Sequence, residues 1–193
     1  MNPIPDIPDS LLVNSYLQGN INAFNIIVKR YQSRIYTSIF LLVKDKYLSE
    51  DIFQETFIKV VDKLNGGHYN EEGKFLPWVM RIAHNLCIDH FRKLKRIPTI
   101  VTNENQDIFE LINFVEPSTE DKIIKKETAN VLNKMLDLIP EDQREVIILR
   151  HFAGMSFKDI SFIMNCSINT ALGRMRYGLN NLRRLMETKQ VSL

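Results

Sequence analysis

The sequence is poor in the residues from which catalytic and covalently stapled proteins are built. Its two cysteines, Cys87 and Cys166, stand far apart, with no CxxC and no Cys/His ligand spacing. A disulfide framework and a zinc finger are therefore not expected, and both thiols read as reduced structural residues. The four histidines are scattered: His68, His84, His90 and His151. No HExxH pair, GxxxxGK phosphate loop, GxGxxG fingerprint or GxSxG elbow is present. Asp89 beside His90 makes no acid–base pair, because adjacent residues of a helix do not face each other. Catalysis, a cofactor and a metal site are thus not expected. A long apolar run is missing too, and no basic segment followed by an apolar stretch opens the chain, so a soluble, cytoplasmic protein is expected.

Charge of one sign is also scarce overall, since 25 Lys or Arg against 23 Asp or Glu leave a formal net charge of +2. That average conceals a strongly uneven distribution. Lys74–Arg96 holds six basic residues and one acidic, and Arg150–Lys189 holds seven and two, so each block carries +5. Between them, Ile97–Asp121 has six acidic residues and no Lys or Arg. Two basic blocks favour contacts with a polyanion, while the acidic stretch, which lacks periodicity, reads as a linker.

The most informative stretch is Pro140–Met186. Pro140 suits a first helical position, and Val146, Ile147, Leu149 and Phe152 follow at helical spacings until Gly154. Ser156 and Asp159 form an S-x-x-D capping box for a short helix that buries Ile160, Ile163 and Met164. Asn165-Cys166-Ser167 is a turn, with Ser167 placed to cap a third helix. On that helix Ile168, Ala171, Leu172, Met175, Leu179 and Leu182 project to one side. Asn169, Thr170, Gly173, Arg174, Tyr177 and Asn181 take the other, with Arg176 and Arg184 at its edges. A short helix, a tight turn and a longer helix with an arginine-bearing face form a helix-turn-helix fitted to the major groove.

The first half reads as four helices. Three prolines before Asp9 mark a tail, and Asp9 or Ser10 is expected to cap the first helix. The second starts near Asn22 and carries a long apolar stripe, with Lys29, Arg30 and Arg34 expected in solvent. Lys46–Lys63 is the third, with Ser49 as its cap, and Phe53, Thr56, Phe57 and Val60 facing inward. Its outward side groups Asp51, Glu55, Ile58 and Asp62, flanked by Gln54 and Lys59, which suits a protein partner because carboxylates repel polyanions. Asn65-Gly66-Gly67 ends it. His68–Gly73 is a polar loop, and a basic helix follows from about Phe75 to Lys95, with Lys74, Arg81, His84, Asn85, Arg92, Lys93, Lys95 and Arg96 as donors. A loop holding His68, Tyr69 and Asn70 beside such a helix suits the capture of unstacked bases; Trp78 is expected in the core. After the linker a helix resumes through Ile123, Ile124, Val131, Leu132, Met135 and Leu138. The expected architecture is all-α, with helical domains at 9–95 and 119–188 joined by a flexible acidic linker at 96–118.

Three stretches carry a family resemblance: YLSEDIFQETFIKVVDKL (47–64), FLPWVMRIAHNLCIDHFRK (75–93) and LIPEDQREVIILRHFAGMSFKDISFIMNCSINTALGRMRYGLNNLRRLM (138–186). In their order and spacing the chain resembles the extracytoplasmic-function (ECF) sigma factors, the group 4 alternative factors of the bacterial sigma-70 family. The resemblance implies a sigma-2-like domain and a sigma-4-like helix-turn-helix that join core RNA polymerase, recognise promoter DNA and assist strand opening. It places Asp51, Gln54, Glu55, Phe57 and Ile58 on the clamp helices of the largest subunit. It assigns His68, Tyr69, Asn70, Lys74, Arg81, Asn85, Arg92 and Lys93 to the −10 element. It assigns Ser167, Asn169, Thr170, Arg174, Arg176, Tyr177 and Arg184 to the −35 element, and it implies an anti-sigma factor as a further partner. Many members carry S-x-G-T-V-K-S-R where this chain has S-I-N-T-A-L-G-R, so Leu172 removes a phosphate-binding lysine. Gly173 is open to two readings, a close approach of the backbone to DNA or merely a lower helix propensity in a packed setting. The competing class is a LuxR-like regulator that binds DNA without polymerase; it shares the helix-turn-helix and should carry a ligand or phosphoacceptor domain instead.

Overall fold

The computed structural model describes residues 7–70, 73–96 and 133–189, and every regular element among them is helical. They form two compact units. The expected linker at 96–118 falls almost wholly outside the described residues, as does the resumed helix before residue 133.

The first unit contains α1 (Asp9–Leu17), α2 (Ile21–Val43), α3 (Lys46–Asn65) and α4 (Phe75–Arg96). Its core joins Leu12 and Val13 of α1, Ile27, Ile35 and Ile39 of α2, Ile52, Val60 and Leu64 of α3, and Phe75, Val79, Met80 and Cys87 of α4. Most recur at helical spacings, while the end of α2, residues 38–43, is buried on every side. Buried hydroxyls close on their own helices: Ser38 donates to the Arg34 carbonyl and Thr56 to that of Ile52. Neither is left unpaired inside the core.

Four local expectations are corrected. Pro8 stands at the cap position of α1 without a side-chain bond. Asp9 instead accepts from Arg30 and from the Tyr31 hydroxyl, both at 2.6 Å, and so pins α1 to α2. Arg30 is therefore not a solvated cation; its side chain is 19% exposed. At α3 the cap is Asp45, which accepts from the Leu48 amide at 2.7 Å. Ser49 lies within the helix, fully buried, donating back to the Asp45 carbonyl. Asp45 captured the role because its β-region backbone aims the carboxylate at the first-turn amides. Phe53 and Phe57 are half-buried rather than central. They belong to an aromatic ladder running Tyr16, Phe24, Phe57, Phe53, Tyr36, with successive ring centroids 4.9–6.1 Å apart.

In the second unit, helical residues 133–136 precede α5 (Glu141–Ile147), whose last turn widens into a π-helical turn over Ile148–Phe152. Then come α6 (Phe157–Ile163) and α7 (Ile168–Lys189). Pro140 is the cap of α5 and Glu141 its first helical residue, one place later than expected. Arg150 donates to the Met155 carbonyl at 2.7 Å, and its guanidinium lies 5.2 Å from the Phe157 ring centre, which fixes the bend between α5 and α6. The capping box forms reciprocally: the Asp159 amide donates to the Ser156 hydroxyl at 3.2 Å and the Ser156 amide to the Asp159 carboxylate at 3.1 Å. Asn165 turns the chain at a φ of 50°, and the Thr170 amide donates to Ser167 at 3.0 Å. Ile160 and Ile163 are buried as expected, whereas Met164 is half-exposed.

The Asp9 clasp sets a stability test. Asp9→Ala removes the acceptor shared by the part-buried Arg30 guanidinium and Tyr31 hydroxyl, so urea unfolding should register a loss of about 1–3 kcal/mol. A midpoint equal to wild type would show the clasp to be inert. Tyr31 is pushed up to about 12, first by burial and then by its bond to Asp9. A raised folded value means its contribution is whole below the unfolded value, about 10, and is lost as pH climbs through the folded one. Tyr31→Phe should therefore flatten the alkaline fall in stability over that window.

Candidate nucleic-acid interface and docking face

On α3 the buried positions Ser49, Ile52, Thr56, Val60 and Leu64 leave the opposite side free. Asp51, Gln54, Glu55, Lys59 and Asp62 are exposed there, and Ile58 is 61% exposed. Tyr47, 69% exposed, stands four residues before Asp51 on the same stripe and extends the face by a turn. Sequence reasoning missed it, although its spacing from Asp51 and Ile58 carried the signal. Glu55 and Lys59 pair at 3.3 Å, so one carboxylate is partly neutralised within the helix. Phe57 lies beside this face, its ring 5.0 Å from Phe53 and 6.1 Å from Phe24. It supports the face more than it projects from it.

The basic helix α4 carries Trp78, Arg81, Asn85 and Arg92 along one line, at intervals that keep them on a single side, and Lys74 stands just before its first residue. His84, expected among its donors, points inward and is 7% exposed. Lys93 departs from that line. It lines an open groove of about 390 Å³ between α3 and α4, together with Asp51, Glu55 and Lys59. Arg92, 3.3 Å from Asp89, stands on the rim of the same groove. Of the loop residues, His68 and Asn70 are exposed, whereas Tyr69 packs at 4.5 Å from the Trp78 ring and 5.7 Å from Phe75. Tyr69 and Trp78 thus form one half-buried aromatic platform at the foot of the basic line, instead of a free tyrosine over a core tryptophan.

In the second unit the rotation of α7 differs from the sequence expectation. Its buried line is Ala171, Met175, Gly178 and Leu182, while Ile168, Leu172 and Leu179 are 45%, 43% and 41% exposed. A side chain at Gly178 would meet Ile147 Cδ1 at 2.9 Å and Gln143 Cβ at 3.2 Å, so α5 and α7 approach closely there. Two residues assigned to the outer face are drawn to α5: Asn181 donates to Gln143 at 2.8 Å, and Arg174 lies 3.1 Å from Asp142. Asn169, Thr170, Arg176, Tyr177 and Arg184 remain exposed. So do Asn180 and Arg183, which were missed because the broad apolar pattern hid the true outward direction. Ser167 and Thr170 share a 2.8 Å hydroxyl contact at the helix start. Around Gly173 a Cβ would meet nothing within 4 Å, so the setting is not packed, and its lower helix propensity remains.

Such an arrangement defines a class: a helical DNA-binding protein whose helix-turn-helix unit accompanies a second unit with one acidic and one basic face. Comparison with known proteins places it further. Residues 27–97 match the model of sigma-70 region 2, and 129–174 match that of sigma-70 region 4. The RNA polymerase sigma-H factor of Pseudomonas aeruginosa is 31% identical over 172 residues, covering 86% of this chain and 88% of that protein. The ECF sigma factor SigW of Bacillus subtilis is 29% identical over 171 residues, covering 86% and 90%. Among solved structures, CnrH bound to the cytosolic domain of CnrY superposes with a TM-score of 0.69 at 21% identity, over 94% of this chain and 99% of that one. The sigma factor RpoE of Bartonella quintana, in complex with the anti-sigma factor NepR, gives 0.63 at 21% identity over 85% and 96%. The chain belongs to the sigma-70 family of RNA polymerase sigma factors, among its ECF members.

No helix of the described residues is long and apolar enough to cross a membrane. Open space at Gly173 makes a definite expectation for stability. Gly173→Ala should raise the unfolding free energy by about 0.5–1 kcal/mol, since only backbone entropy and helix propensity change. A loss of stability on thermal denaturation would mean that the position is packed after all.

Proposed function

We propose that the two units divide the work of promoter-directed initiation, with 9–95 serving core-polymerase docking and −10 recognition and 119–188 reading the −35 element. The observation that carries this is the first unit, where α3 offers an acidic, isoleucine-centred face and α4 a separate basic line. A LuxR-like regulator accounts for the helix-turn-helix but not for that pairing.

Asp51, Gln54, Glu55 and Ile58, with Phe57 beneath them and Tyr47 added, form the docking face for the clamp helices. A helical partner suits it because contacts at three- and four-residue steps run along one seam. His68, Tyr69, Asn70, Lys74, Arg81, Asn85 and Arg92 take the −10 strand, and Lys93 works from the groove side. Bases released from the duplex stack against the Tyr69–Trp78 platform while the basic line holds the backbone. Opening is then driven by contacts that only the separated strand can make. Ser167, Asn169, Thr170, Arg174, Arg176, Tyr177 and Arg184 form the −35 surface. Arg176 is placed for a base edge; Arg174, steadied by Asp142, for a phosphate. The protein performs no covalent chemistry, since the polymerase makes the RNA, and it works in the cytoplasm, where its regulation falls to an anti-sigma factor.

Reversing Asp51 and Glu55 to lysine should weaken core-polymerase binding by about tenfold or more, which is ~1.4 kcal/mol, while isolated duplex binding changes little. Equal loss in both assays, read by fluorescence titration, would count against the division of faces. Arg176→Ala should cost ~1–3 kcal/mol and relax preference at one base pair, whereas Arg174→Ala should lower affinity uniformly and reduce the salt slope by about one. The reverse pattern would exchange their roles.

A further inference from the structure

We propose that Leu172 reads sequence directly, by packing its side chain against the C5-methyl group of a thymine in the major groove. The proposal rests on the reading of α7 as the −35 helix. Leu172 lies in the first turns of that helix, where a recognition helix reaches deepest toward base edges. Its side chain does not serve the core, since it is 43% exposed while Ala171 and Met175 on either side of it are buried. Its surface neighbours are Asn169, three residues before, and Arg176, four residues after, and both are exposed. Asn169, Leu172 and Arg176 therefore form one outward stripe. At 1.5 Å per residue the stripe spans about 10 Å, close to three base-pair steps of ~3.4 Å.

The chemistry of this stripe is that of a mixed base code. An asparagine amide matches the N6/N7 edge of adenine, a guanidinium the O6/N7 edge of guanine, and an aliphatic tip the thymine methyl, the one apolar group in the major groove. An exposed leucine between two hydrogen-bonding side chains would desolvate cytosine N4 or adenine N6 without compensation, so it selects as well as binds. Gly173, the next residue, has open space around it and keeps the approach to the groove clear. The duplex is favoured over a second copy of the chain as the occupant. The same helix presents Arg176, Arg183 and Arg184 to solvent, and apposing two such faces would bring like charges together.

The test uses holoenzyme reconstituted from the full chain and core RNA polymerase. A duplex library randomised upstream of the start site is first selected for binding, and each thymine of the selected element is then replaced singly by deoxyuridine, which removes only the methyl. One position is expected to lose about fourfold in affinity, the scale of one buried methyl. Leu172→Ala, which leaves the core intact, should bind the thymine and uracil duplexes equally. Arg176→Ala should stay sensitive to that methyl. A selected element with no methyl-sensitive position, or a Leu172→Ala holoenzyme that still discriminates, overturns the proposal and assigns the apolar edge to a protein partner. If holoenzyme selects no element at all, the sigma reading itself falls, and the two failures are thus distinguishable.

Discussion

The close approach of α5 and α7 at Gly178 is the contact on which the outward face of α7 depends. With no side chain at that point, Ile147 and Gln143 of α5 settle against the α7 backbone. The rotation of α7 about its own axis is thereby set, and rotation decides which residues can enter a groove. Two polar ties, Gln143 to Asn181 and Asp142 to Arg174, hold the same rotation from the flank. Close packing resists small slips because each would open a void on one side and a clash on the other. A turn of α7 by one residue step would replace the whole set of side chains that faces outward.

In the first unit the governing constraint is electrostatic separation. An acidic face on α3 and a basic line on α4 suit partners of opposite charge. Here the carboxylates cluster on α3 and the cations line α4. Lys93 and Arg92 border the groove between them, facing Asp51 and Glu55. The Asp9 clasp adds mechanical support behind both, fastening α1 across α2 through Arg30 and Tyr31.

Much of this was legible in the residues. Helix order, the capping box at Ser156 and Asp159, the Ser167 cap and the outward placing of Asp51, Glu55 and Ile58 follow from periodicity and local hydrogen-bonding rules, and the structure agrees. Such features involve partners within four residues of one another, so the sequence contains everything needed to infer them. What was misread has two kinds of cause, a distant partner or a competing neighbour. Asp9 was expected to cap its own helix but binds residues more than twenty positions away. Ser49 lost the capping role to Asp45, and Tyr69 joined Trp78 across the loop.

The recognition helix marks the boundary most clearly. Its composition settled that it is amphipathic, basic and capped at Ser167, because those properties belong to the chain itself. Its apolar residues, however, cover more of the circumference than one neighbouring helix can bury. Ile168, Leu172 and Leu179 compete with Ala171, Met175, Gly178 and Leu182 for a single contact. Periodicity cannot choose between overlapping stripes, and it undervalues glycine, whose contribution is the absence of a side chain. Only the position of α5 made the choice, sending Arg174 and Asn181 toward the protein and Asn169, Leu172, Arg176 and Arg183 toward solvent, because a helix buries the face its neighbour can approach most closely.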